Sequence, residues 1–164
     1  MSSSLSSTEE LIKYISHTTS TEWISPTIWI AIGTTATKIK TAATAAYLIA
    51  GTFYSKAATD DFWVLTGFDC TNAKFNKCLL CIDSAGAMQI AAGTEAATAA
   101  AVVLPDVPAS YSVVGMVQVN PTGTGDFTGG TTDLNDGTVV PNATYTDLAF
   151  HPDTFDVTAL NTTS

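Results

Sequence analysis

From Thr27 to Phe150 the chain is a succession of short apolar runs, each closed by Gly, Pro, Asn or Asp. The stretch from Thr27 to Ile32 (TIWIAI) opens this pattern. In Lys38-Ile39-Lys40 the two lysines fall on one side and the isoleucine on the other, the period-two signature of a half-buried strand. Residues 42–50 are rich in Ala, which favours helix. Thr41 and Thr44, with Tyr47, Leu48 and Ile49, tip them to strand. Residues 51–56 continue as a strand with Phe53 and Tyr54 on opposite faces, residues 57–61 form a loop, and residues 62–67 form a buried strand. The pattern predicts an all-β fold, a sandwich or jelly-roll-like barrel of roughly eight to ten short strands, with no βαβ alternation. Three regions follow: an N-terminal arm over residues 1–26, a β-sandwich body over 27–150 and a C-terminal tail over 151–164.

Turn chemistry sharpens the second half. Asp83-Ser-Ala-Gly86 joins the apolar run of residues 77–83 to residues 86–91 as a hairpin turn with Asp first and Gly last. Residues 93–101 are Ala-rich. Val102, Val103 and Pro105 follow at once, and Pro biases its predecessor to an extended backbone, so this piece is expected to be extended. Pro105 and Pro108 lead stiffly into the β-branched run from Ser112 to Val119. Asn120-Pro-Thr-Gly-Thr-Gly125 is turn-forming, and Phe127 and Thr128 are expected to return as the second strand of that hairpin. Asn135-Asp-Gly137 predicts another turn, with late strands at Thr138 to Val140 and Ala143 to Phe150. Tyr145 and Leu148 are candidate core residues.

The first residues are Ser-rich. Ser7-Thr-Glu-Glu10 fits a capping box, in which Glu10 reaches back to the N–H of the cap residue. Leu11, Ile12, Tyr14 and Ile15 then line one face of a short helix. A helix that short needs a partner surface. That surface is either the chain's own core or a neighbouring subunit, and these four residues are the candidate inter-subunit arm.

Composition removes several function classes. The chain is 46% hydrophobic and 13% charged, which is unlike a charge-driven disordered protein. It has six Lys+Arg, all of them lysine, against 15 Asp+Glu, for a net charge of −9. Nucleic-acid binders neutralise phosphates with Lys and Arg, so no nucleic-acid partner is expected, and for the same reason no anionic membrane. No export signal is expected from the N-terminal sequence, which lacks a basic segment followed by a continuous apolar one. Asn142-Ala-Thr144 and Asn161-Thr-Thr163 match the glycosylation pattern and are expected to be plain Thr-rich loops.

Candidate chemistry is sparse. Cys78 and Cys81 form a C-x-x-C with Cys70 upstream, but His17 and His151 lie far off with no ligand spacing for zinc. On a strand, i and i+3 point to opposite faces, so the thiols diverge and are expected to be small buried hydrophobes. Asp60 and Asp61 are expected to be a solvated turn. There is no nucleophile–base pairing, no G-x-S-x-G, no H-E-x-x-H and no phosphate-binding loop. The chain is therefore expected not to be an enzyme, with no cofactor and no metal.

Residues 95–108 (EAATAAAVVLPDVP), then Val113-Val-Gly-Met-Val-Gln-Val119, then residues 125–134 (GDFTGGTTDL), resemble small virion proteins of tailed bacteriophages. In these a proline-spaced segment leads into a V-G-x-V-x-V strand and an F-T-x-G-T-T-x-L return. Lys38 to Asp61 is similar in style to their upstream half. Phe127 and the Gly129-Gly130 pair depart from the proline-containing version of the return. The resemblance implies a β-rich, often trimeric structural protein located on the virion and assembled in the host cytoplasm. Its expected partners are its own copies and the major capsid protein or another virion protein. A capsid decoration (cement) protein is the first expectation, and a tail or fibre component the second. From another class, a carbohydrate-binding sandwich or adhesin would need exposed aromatics, for which Trp23, Trp29 and Trp63 are the candidates.

Overall fold

The computed structural model describes residues 30–148. The expected domain boundaries at 26/27 and 150/151 lie outside the described residues. So do the arm residues Leu11, Ile12, Tyr14 and Ile15, both histidines, Trp23 and Trp29. The described chain is β-rich, with strands β1 (Ile30–Ile32), β2 (Lys38–Thr41), β3 (Ala45–Ile49), β4 (Thr52–Lys56), β5 (Thr59–Val64), β6 (Asp69–Cys70), β7 (Asn76–Asp83), β8 (Met88–Ala92), β9 (Tyr111–Val119), β10 (Phe127–Thr128) and β11 (Thr144–Asp147). Two of these, β6 and β10, are only two residues long.

Every strand pairing among the described residues is antiparallel. One sheet has the order β11-β9-β7-β8 and a second the order β1-β2-β5. They face one another with their edges matched, β1 beside β11 and β5 beside β8. Between β2 and β5 the chain makes an excursion, the β3–β4 hairpin, which lies against β9. Its two-residue loop, Ala50-Gly51, has φ of 49° and 77°, the double positive φ of a type I′ turn that suits the twist of a tight hairpin.

The main core fills the space between the sheets. Ile39, Trp63, Leu65 and Phe68 meet Cys78, Leu80 and Ile82 of β7 and Val114, Val117 and Val119 of β9. A second cluster, Leu79, Cys81 and Val113, lies on the other face of β7 and β9, under Leu104 and Val107 of the proline-spaced segment. β7 is therefore covered on both faces, which explains its unbroken apolar run; a strand with one wet face would alternate. In β9 the register slips between Leu80 and Cys81, leaving Val114 as an extra residue. Gly115 beside it is fixed by close approach. A Cβ there would overlap Ile30 Cδ1 and lie 3.1 Å from both Ile30 Cγ1 and Thr146 O.

Four expectations are corrected. Phe127 and Thr128 do not return against β9. They pair with Cys70 and Asp69 of β6, while β9 is flanked by β7 and β11. Asn72 Nδ2 donates to the carbonyls of Gly123 and Gly125, and Asp126 accepts the Asn72 N–H, so the Gly-rich turn is anchored to the loop after β6. Thr138 to Val140 is a turn, not a strand. The Asp136 carboxylate accepts the N–H groups of Thr138 and Val139, and Val140 has φ of 50°. Residues 93–101 are not uniformly extended: Thr94 and Ala96 form isolated bridges, and Ala99–Ala101 closes a 3-10 turn. Asp60 and Asp61 belong to β5, not to a loop.

Candidate functional site

The polar side chains that looked available for chemistry are engaged in holding loops. β2 and β5 pair Ile39 with Trp63 and Thr41 with Thr59, so β5 bulges between them. Asp61 sits in the bulge with φ of 51°. The break in alternation brings two consecutive carboxylates to the same turn. Asp60 accepts from the Thr34 N–H at 3.1 Å and from the Thr34 hydroxyl. Asp61 accepts from the Thr35 N–H at 2.8 Å and from the Thr35 hydroxyl. The Thr34 hydroxyl bond, ahead of the Thr34 backbone bond, holds the Asp60 carboxyl below the usual carboxylate range. These aspartates are staples for the β1–β2 turn.

Glu95 forms a second staple. It accepts from Lys74 Nζ at 2.5 Å, from the Thr71 N–H at 2.8 Å and from the Thr71 hydroxyl at 3.0 Å. The Lys74 bond, followed by the two Thr71 bonds, lowers its pKa to about 2. This ties the loop after β6 to the segment after β8. Asp69 accepts the Gly129 N–H at 3.1 Å, and the Ala36 carbonyl accepts the Leu134 N–H at 2.9 Å, so the neighbouring loops are joined as well.

Cys70, Cys78 and Cys81 are free and buried. Cys78 lies in the main core and Cys81 in the second cluster, on opposite faces of β7. Burial pushes the Cys70 thiol up to about 11 and the Cys81 thiol up to about 12, and raises Cys78 further. Such thiols carry almost no thiolate near neutral pH and are poor nucleophiles and metal ligands. Among the described residues no three His, Cys, Asp or Glu side chains come together as a metal site. Trp63 is fully buried and donates its Nε1–H to the Cys81 carbonyl at 3.1 Å, so it offers no face to a sugar. Asn142 is exposed at φ of 49°, with its amide on Asn120 O and Thr122 Oγ1.

The surface feature that stands apart is the β3–β4 hairpin. Ala45, Tyr47 and Ile49 point into the core, with the Tyr47 ring stacked on Tyr54 at 5.8 Å and its hydroxyl donating to Asp83 O. On the other face Phe53 is 62% exposed. Among the described residues only Val103 is a comparably exposed large hydrophobe. Residues 42–58 contain no carboxylate and one lysine, Lys56, whose ammonium lies 4.9 Å from the Phe62 ring centre. The alternation of Phe53 and Tyr54 was legible in the sequence; which of the two faces water was not, because the core against which Tyr54 packs is assembled from distant parts of the chain. No family model, no curated protein and no solved structure matches the chain.

Proposed function

We propose that this chain is a structural protein of a tailed-bacteriophage particle, a capsid decoration (cement) protein that binds the head lattice and stabilises it by linking subunits. The resemblance over residues 95–134 motivates the reading. One structural observation supports it: Asp60, Asp61 and Glu95 staple loops within the chain, whereas a hairpin without carboxylates presents Phe53 outward. A rigid sandwich with fixed loops and an apolar exposed element suits assembly better than turnover. The arginine-free, net-negative composition disfavours adhesion to packaged DNA during assembly. The arm residues Leu11, Ile12, Tyr14 and Ile15 are proposed to cross to a neighbouring subunit, and the protein to act as a homotrimer. Burial of Trp63 weakens the carbohydrate-binding alternative, whose remaining aromatic candidates, Trp23 and Trp29, lie outside the described residues.

Sedimentation of the full chain with and without expanded capsids tests this reading. A trimer that co-sediments with capsids is expected. A monomer that ignores capsids and binds glycans would sink it in favour of the carbohydrate-binding alternative. Binding to purified tails in place of heads would support the fibre alternative. Removing residues 1–16 should weaken attachment; attachment as firm as that of the full chain would refute the arm.

A further inference from the structure

We propose that the outward face of the β11-β9-β7-β8 sheet, beside Val107 and Tyr111, is the docking site of this chain's own residues 149–151, with Phe150 as the anchor. The inference goes beyond the assembly reading and does not depend on it.

This face is apolar and only partly covered. Leu79, Cys81 and Val113 are buried there, while Val107, Tyr111 and Met116, which pack on them, are half-buried. The proline-spaced segment covers one flank through Leu104 and Val107. On the other flank β11 ends at Asp147, opposite Gly115, whereas β9 begins four residues earlier, at Tyr111. Among the described strands, Tyr111, Ser112 and Val113 pair only with Asp83, Ile82 and Cys81 of β7. The side of β9 in line with β11 therefore has no described strand beside it from Tyr111 to Val113.

The place where the chain leaves the described body selects the occupant. Tyr145 packs on the main core and Asp147 accepts the Ile30 N–H, whereas Leu148 packs with the second cluster. The Leu148 N–H donates to the Val114 carbonyl at 3.1 Å, so the chain arrives at the uncovered flank already in register. Thr146 stands opposite Met116 and Asp147 opposite Gly115. Continuing that register sets residue 149 opposite Val113 and residue 150 opposite Ser112. Side chains two apart on a strand share a face, so the residue that joins Leu148 on the outward face is Phe150. Ala149-Phe-His151 carries no carboxylate to desolvate, and Pro152, which cannot donate to a ladder, sets the limit of the docked segment. The apolar residues of the N-terminal arm compete poorly for this face. They are tethered through residues 16–29 to Ile30, whose side chain belongs to the main core, and so have a lower effective concentration here.

The test uses the full chain with Val107→Cys as a reporter, because the native thiols are buried. Maleimide labelling of the reporter should be at least about tenfold faster when Phe150→Asp is added, since a charge then replaces the ring that shields it. Far-UV circular dichroism checks that both proteins are folded. Replacing Phe150 by the photo-reactive p-benzoylphenylalanine gives a second readout: irradiation should join residue 150 to residues 104–113 of the same chain. Should either substitution fail to fold, this crosslink decides alone. Equal labelling with and without Phe150→Asp in folded protein overturns the inference, as do crosslinks that land away from this face. Crosslinks that join two chains would give the face to a second copy and overturn it as well. So would labelling that accelerates only on removal of residues 1–16, which would give the face to the arm.

Discussion

Replacing Gly115 by Ala tests the packing of the two sheets at its tightest point. The added methyl would overlap Ile30 Cδ1, which must then move by about 2 Å to regain an ordinary contact of ~3.5–4.0 Å. Ile30 is itself core, 7% exposed, with little room to yield. Overpacking of this kind costs about 1–3 kcal/mol, offset by about 0.5–1 kcal/mol because Ala loses less backbone entropy than Gly. Ile30→Val removes the offending Cδ1 and alone should cost about 0.5–1.5 kcal/mol. Combined, the two changes should cost little more than Ile30→Val alone, since the clashing atom is gone. The expected coupling is about 1–2 kcal/mol in favour of the double variant. Urea unfolding of the full chain and the three variants, followed by tryptophan fluorescence, measures it. If the two single costs add to within about 0.5 kcal/mol, β1 does not pack on β9 as described.

Three further outcomes follow from the same structure. Cys70, Cys78 and Cys81 should stay unreactive toward a thiol reagent at pH 8 in native protein and react together in urea; fast native labelling of any of them would contradict its burial. Glu95 has a folded pKa lowered from 4.5 to about 2, so the stability it contributes is present above about pH 4.5 and is lost as pH falls toward 2. Glu95→Gln should therefore flatten the acid limb of the stability profile in that window, and an unchanged limb would count against the Lys74–Thr71 staple. The Ser112 hydroxyl is buried without a hydrogen-bond partner, so Ser112→Ala should be neutral or stabilising by up to ~1 kcal/mol in urea; a clear loss would mean that the hydroxyl is bonded.

What was legible in the sequence was whatever depends on neighbours along the chain. The alternation Lys38-Ile39-Lys40 placed Ile39 inside, the Asp83-to-Gly86 turn was given by its own residues, and the divergence of Cys78 and Cys81 followed from strand geometry. Long-range pairing was not legible. Phe127 reaches Cys70 because Asn72 captures the intervening Gly-rich turn, a bond between segments far apart in sequence. Thr138 to Val140 carries strand-forming residues, yet the Asp136 carboxylate takes their N–H groups first. Asp60 and Asp61 were hydrophilic neighbours with no visible partner until the β5 bulge turned both toward Thr34 and Thr35. The exposure of Phe53 had no sequence signal, since exposure depends on what the rest of the fold covers.

The most direct test of the proposed virion role is cryo-microscopy of purified particles, with and without this protein. Added density is expected on the outer surface of the head lattice, at sites where capsid subunits meet. Particles that carry no such density on the head, or that hold the protein only on the tail, would contradict it.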